Sequence, residues 1–94
     1  MSPAELKSLT KQPITLSPLL QAMWHDHHGN WAASHNIAQG IDDRDGSWVH
    51  AYLHRKEGDS SNASYWYRRA GKNVPTTSLS KEWEEIVQSL FKDK

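Results

Sequence analysis

The segment from Trp48 to Gly71, WVHAYLHRKEGDSSNASYWYRRAG, leaves this chain few ways to fold. Ala63, Trp66, Tyr67 and Ala70 recur at i, i+3, i+4 and i+7, the spacing that gathers four residues on one face of an α-helix. Small side chains alternate there with rings, so a neighbouring backbone can come close at the alanines while the aromatics fill the space beside them. The neighbour at hand is the preceding stretch, Trp48 to Glu57, and between the two stands Gly58-Asp59. Glycine takes the left-handed conformation that ends a helix, and an aspartate side chain accepts from the unpaired N–H groups that begin the next. The segment therefore predicts a helical hairpin over residues 47–71 with its corner at Gly58-Asp59.

The same design is written earlier in the chain. A shift of 29 residues superposes Ala22 on Ala51, His25 on His54, Gly29 on Gly58, Asn30 on Asp59 and Ser34 on Ala63, so helix, corner, cap and small packing residue recur together. Ser17-Pro18 begins this first hairpin, predicted over 17–40, and Gly40 ends it. Two hairpins leave apolar surface uncovered. Trp83, Ile86, Val87, Leu90 and Phe91 supply a cover, spaced as one stripe of a helix over 79–92. Glu82, Glu84 and Glu85 stand in its first turn and Lys92 and Lys94 in its last, as the helix dipole favours. Ser2-Pro3-Ala4-Glu5 has the form of a capping box and predicts a short N-terminal helix to about Leu9. The expectation is an all-α domain: two stacked antiparallel hairpins, a C-terminal covering helix and a short N-terminal one.

The run Ala63-x-x-Trp66-Tyr67-x-x-Ala70 after Gly58-Asp59 resembles the second helix of a tetratricopeptide or Sel-type repeat, and Pro75 falls where such repeats often carry a terminating proline. WVHAYLHRKEGD with YWYRRAG also resembles a group of small uncharacterised bacterial proteins, a likeness that implies a fold and no activity. Tetratricopeptide-like units stack and bind other proteins in a groove lined by their first helices. The resemblance thus implies a small protein or peptide interaction module. Its groove would be lined by Trp48, Tyr52, Arg55 and Lys56 beside Leu19, Met23, Asp26 and His27. Aromatic and basic residues together suit a peptide carboxylate or an acidic motif. The sequence departs from the repeat pattern at His50 and His54, where a first helix usually carries large apolar or aromatic residues.

Composition narrows the classes. Lysine plus arginine equals aspartate plus glutamate at 11 each, a balance that argues against nucleic acid as a partner. The chain has no cysteine, which removes disulfides and thiolate metal sites and suits a reducing compartment. No apolar run is long enough to span a bilayer and none follows a basic start as in a signal peptide, so the cytoplasm is the expected location. Oligomeric state stays open, a homodimer included. No Gly-rich phosphate loop or nucleophile elbow is present, so an enzyme could only be a histidine and carboxylate one.

Histidine is the residue type left to account for, with six in 94 residues. His50, His54 and Glu57 fall at i, i+4 and i+7 and form a stripe beside the apolar arc of their helix. Two imidazoles and a carboxylate can hold zinc or a similar divalent metal. The equivalent stripe of the first hairpin is Gln21, His25 and His28, and four histidines would converge if the two stripes faced each other. The alternative to the interaction module is therefore a divalent-metal-binding or histidine-dependent catalytic protein. The HExxH pattern of zinc hydrolases is absent, and histidines beside an aromatic core more often serve as hydrogen-bonded packing residues, so structural histidines with no bound metal or cofactor are the expectation.

Overall fold

A computed structural model of the chain describes residues 1–92. Among them are six α-helices and no strand: α1 (Pro3–Ser8), α2 (Pro18–His27), α3 (Trp31–Gln39), α4 (Arg44–Glu57), α5 (Ser60–Arg69) and α6 (Leu79–Lys92). No helix among these residues is long and apolar enough to cross a membrane. The two corners are built alike. Gly29 and Gly58 have φ of +83° and +88°, the region where a side chain would be strained. The next residue caps the following helix in each case: the Asn30 side chain accepts from Ala33 N–H and the Asp59 side chain from Asn62 N–H. The α1 capping box forms as well, with Ser2 N–H donating to Glu5 and Glu5 N–H to the Ser2 hydroxyl.

One boundary differs from the sequence expectation. The second hairpin begins at Arg44 rather than at residue 47, because Asp43 caps α4 by accepting from Gly46 N–H at 2.7 Å. Asp43, Asp45 and Gly46 thus form the cap and first turn of a helix. Gly46 is needed in that first turn for space: a Cβ there would stand 2.0 Å from the carbonyl oxygen of Ile41.

Helix α2 packs on α3 and α4 packs on α5, and the hairpins meet where α3 lies along α4 and α2 touches it. Helix α6 crosses α2 and α4, with α1 tucked against α2 and α6. The cover thus sits on the first helices of the two hairpins. Trp83, Ile86, Val87 and Leu90 are buried there with Leu20, Met23, Val49 and Leu53, while Phe91 is only half-buried. Burying such side chains contributes about 1.5–3 kcal/mol each. The Trp83 indole N–H donates to the Met23 carbonyl at 3.1 Å and fixes the angle of α6 on α2.

Two carboxylates lie inside this seam. Glu82, 1% exposed, accepts from the Tyr67 hydroxyl at 2.6 Å, the Arg55 guanidinium at 2.8 Å and the Trp48 indole at 3.2 Å. Arg55 also donates to the Thr77 carbonyl. Asp26, 2% exposed, accepts from the Tyr52 hydroxyl at 2.8 Å and from Lys56 Nζ at 3.0 Å. Buried charges persist only when paired and hydrogen-bonded in this way. Burial, together with the facing carboxylate, pushes the Tyr52 and Tyr67 hydroxyls upward from their ordinary pKa, so both stay protonated donors.

Candidate functional site

The opposite flank of α4 carries His50 and His54, one helical turn apart. Helix α5 lays Trp66 on the first of them, with ring centroids 4.0 Å apart and nearly parallel. Helix α3 brings a third imidazole, His35. Its position follows from Trp31, one turn earlier, whose indole N–H donates to the Leu53 carbonyl at 2.9 Å and so ties α3 to α4. The His35 ring stacks on Trp31 at 4.8 Å, which directs it at α4. His35 Nε2 and His50 Nε2 are 3.0 Å apart, and one ligand nitrogen from each of His35, His50 and His54 lies within 4.8 Å of the others. His54 Nδ1 faces a Glu57 carboxylate oxygen at 2.8 Å.

Two rings of this cluster are held toward the neutral form. Burial pulls the His50 imidazole down to about 4, and the neighbouring His35 and His54 push it the same way. Burial and His54 also lower His35, with Glu57 acting weakly against them. Two neutral rings at hydrogen-bond distance share one proton between their Nε2 atoms, so one ring donates and the other accepts with its lone pair. At His54 a proton on Nδ1 satisfies Glu57 and leaves Nε2 with a free lone pair. Neutral imidazoles with unprotonated nitrogens are metal ligands. A move of the His35 or His50 proton to Nδ1 makes all three rings available without any net loss of a proton.

The residues singled out in the sequence are divided between the two flanks. His50 and His54 stack on each other and Glu57 meets His54, but the imidazole that the first hairpin brings to His50 and His54 is His35 rather than His25 or His28. The reason is that α3, not α2, lies against the histidine flank of α4. His28 instead bonds through Nδ1 to the Trp24 carbonyl and lies over the Trp24 ring, and His25 meets the edge of that ring. Trp48, Tyr52, Arg55, Lys56 and Met23, the expected groove, lie on the flank that α6 covers. Trp48, Tyr52 and Met23 are buried in the core, and Arg55 and Lys56 are paired with Glu82 and Asp26. The groove implied by the repeat resemblance is filled by the chain's own last helix. His35 escaped the sequence reading, although Trp31-Ala-Ala-Ser-His35 offered a signal: a ring and a histidine one turn apart. No protein-family model matches the chain, and no curated protein or solved structure is significantly similar to it.

Proposed function

We propose that this is a helical protein that binds a divalent transition-metal ion through His35, His50 and His54. One observation carries the reading: three imidazoles from two different helices converge within 4.8 Å. Zinc bonded to nitrogen at about 2.0–2.1 Å in a tetrahedron needs its donors about 3.4 Å apart, a small adjustment of ring torsions from that arrangement. Imidazole donors suit zinc, nickel or copper(II) over calcium or magnesium. The carboxylate of Glu57 on the far nitrogen of His54 is the support that metal-ligating histidines usually have. Because α3 and α4 belong to different hairpins, an ion here would also clamp the hairpins together.

A melting experiment tests the reading. Zinc, nickel or cobalt(II) at a hundredfold excess over its dissociation constant should add about 2.7 kcal/mol of stability. The shift should vanish in His35→Ala, His50→Ala and His54→Ala and survive in a His25→Ala, His28→Ala double variant. An unchanged melt with every metal, or an equal shift in all the variants, would sink it.

An interaction module remains the second reading, and one feature favours it. The exposed Tyr65 ring and the half-buried Trp66 both lie under the Arg69 guanidinium, 5.9 and 5.4 Å from its carbon. The outer face of α5, rather than the covered face of α4, is therefore where an acidic peptide or a second copy of the chain would dock in a tetratricopeptide-like scaffold. The cytoplasm is the compartment proposed for either reading, on composition alone.

A further inference from the structure

We infer that a metal held by His35, His50 and His54 keeps a fourth position open to solvent, where it takes water or a small anion and can hydrolyse a small uncharged ester. This rests on the metal-binding reading above and goes beyond it. Structural zinc sites are closed by four protein ligands, whereas catalytic ones have three and leave the last position to water. Among the described residues the three imidazoles form one group of candidate ligands, and His54, Glu57 and Asp59 form another. No carboxylate joins the first group. Glu57 is engaged at Nδ1 of His54, and Asp59 is occupied in capping α5, accepting from the backbone and side-chain N–H groups of Asn62.

Shape and charge point the same way. Trp31 and Trp66 back two of the three rings, His35 and His50 respectively, and shield them from water. Solvent still reaches the cluster, since the His54 side chain is 12% exposed and His35 is partly so. Three neutral donors leave the full dipositive charge on the ion. Such a charge brings bound water to a pKa of about 7 and makes it a nucleophile near neutral pH. In the hydrolysis that follows, the water oxygen bonds to the ester carbonyl carbon, the bond from that carbon to the alcohol oxygen breaks, one water proton goes to the departing alcohol and the other to solvent. One ester and one water become one carboxylate, one alcohol and one proton released to solvent. The tryptophan walls favour a small, uncharged, aromatic or aliphatic ester.

The full chain loaded with cobalt(II), whose visible absorption reports coordination, separates the possibilities, with azide as the anion and p-nitrophenyl acetate as the ester. The expected result is one cobalt per chain, a saturable change in the spectrum with azide, and ester turnover at least tenfold above that of His54→Ala at equal total cobalt. Azide should inhibit the turnover at the concentration that changes the spectrum. Stoichiometric cobalt with a spectrum indifferent to azide would mean a closed site and overturn the inference while leaving the metal reading intact. A spectral response without turnover would overturn the hydrolysis. Failure to bind cobalt, zinc or nickel at all would remove the metal reading itself.

Discussion

On the flank of α4 that faces α2 and α6, Trp48, Tyr52, Arg55 and Lys56 each meet a buried carboxylate, while on the other flank His50 and His54 meet a third imidazole, tryptophan rings and a half-exposed Glu57. The first flank is a closed circuit, in which donors outnumber the two acceptors and each carboxylate oxygen takes at least one of them. The second flank brings three acceptor-capable rings together and gives them one shared proton and one carboxylate. The comparison teaches where to look on a helix whose both sides are polar: groups that neutralise each other hold the fold, and groups that leave lone pairs aimed at one point can hold something else.

The largest effect should come from opening the closed circuit. Glu82→Ala strands the Arg55 charge with the Trp48 and Tyr67 donors and should cost about 3–5 kcal/mol in denaturant unfolding, in line with the loss of one partner from a buried pair. Glu82→Gln keeps an acceptor and should cost less. A loss below about 1 kcal/mol in the alanine variant would mean that α6 is not held by this carboxylate.

The next effect is read in pH and belongs to the histidine flank. On that flank His50 is lowered to about 4 in the folded chain and His35 is lowered too, from an ordinary value of 6.5, and His27 on the α6 side is lowered in the same direction. The unfolded chain therefore takes up protons first as pH falls below 6.5, and folding stability declines from there toward pH 4. It is fully present above 6.5. Each proton contributes at most about 1.4 kcal/mol per pH unit. Urea midpoints between pH 7 and 5 should fall with a slope that shrinks in His50→Gln; a flat profile, or an unaltered slope in the variant, contradicts the buried neutral cluster.

The smallest effect tests the packing between α3 and its neighbours. Ser34 is fully buried, and its hydroxyl is the one buried side-chain atom among the described residues with no hydrogen-bond partner. Ser34→Ala removes an unsatisfied group at little cost in volume, so stability should stay within about 1 kcal/mol of the parent or rise. A clear loss would show that the hydroxyl has a partner, and the seam between hairpins would need redrawing.

Local chemistry made much of this fold legible. Gly29-Asn30 and Gly58-Asp59 specify their corners through backbone freedom and a capping side chain, and the α6 stripe specifies its buried face through periodicity. These are properties of a few adjacent residues. What escaped depends on which helix covers which flank. Glu82 in the first turn of α6 is what the helix dipole favours at any surface, and only the arrival of Trp48, Arg55 and Tyr67 makes it a core residue. Asp26, beside His27, reads as lining an open groove until Tyr52 and Lys56 close on it. His35 likewise gains meaning only when the Trp31 bond to Leu53 turns α3 toward His50.

X-ray absorption at the zinc edge on the zinc-loaded protein tests most directly whether the three imidazoles act as one site. The account predicts three imidazole nitrogens at about 2.0–2.1 Å, with one further light-atom ligand. The count should drop to two in His35→Ala, or the metal should be lost. A shell made mainly of oxygen, or an unchanged imidazole count in His35→Ala, would contradict a site shared between the two hairpins.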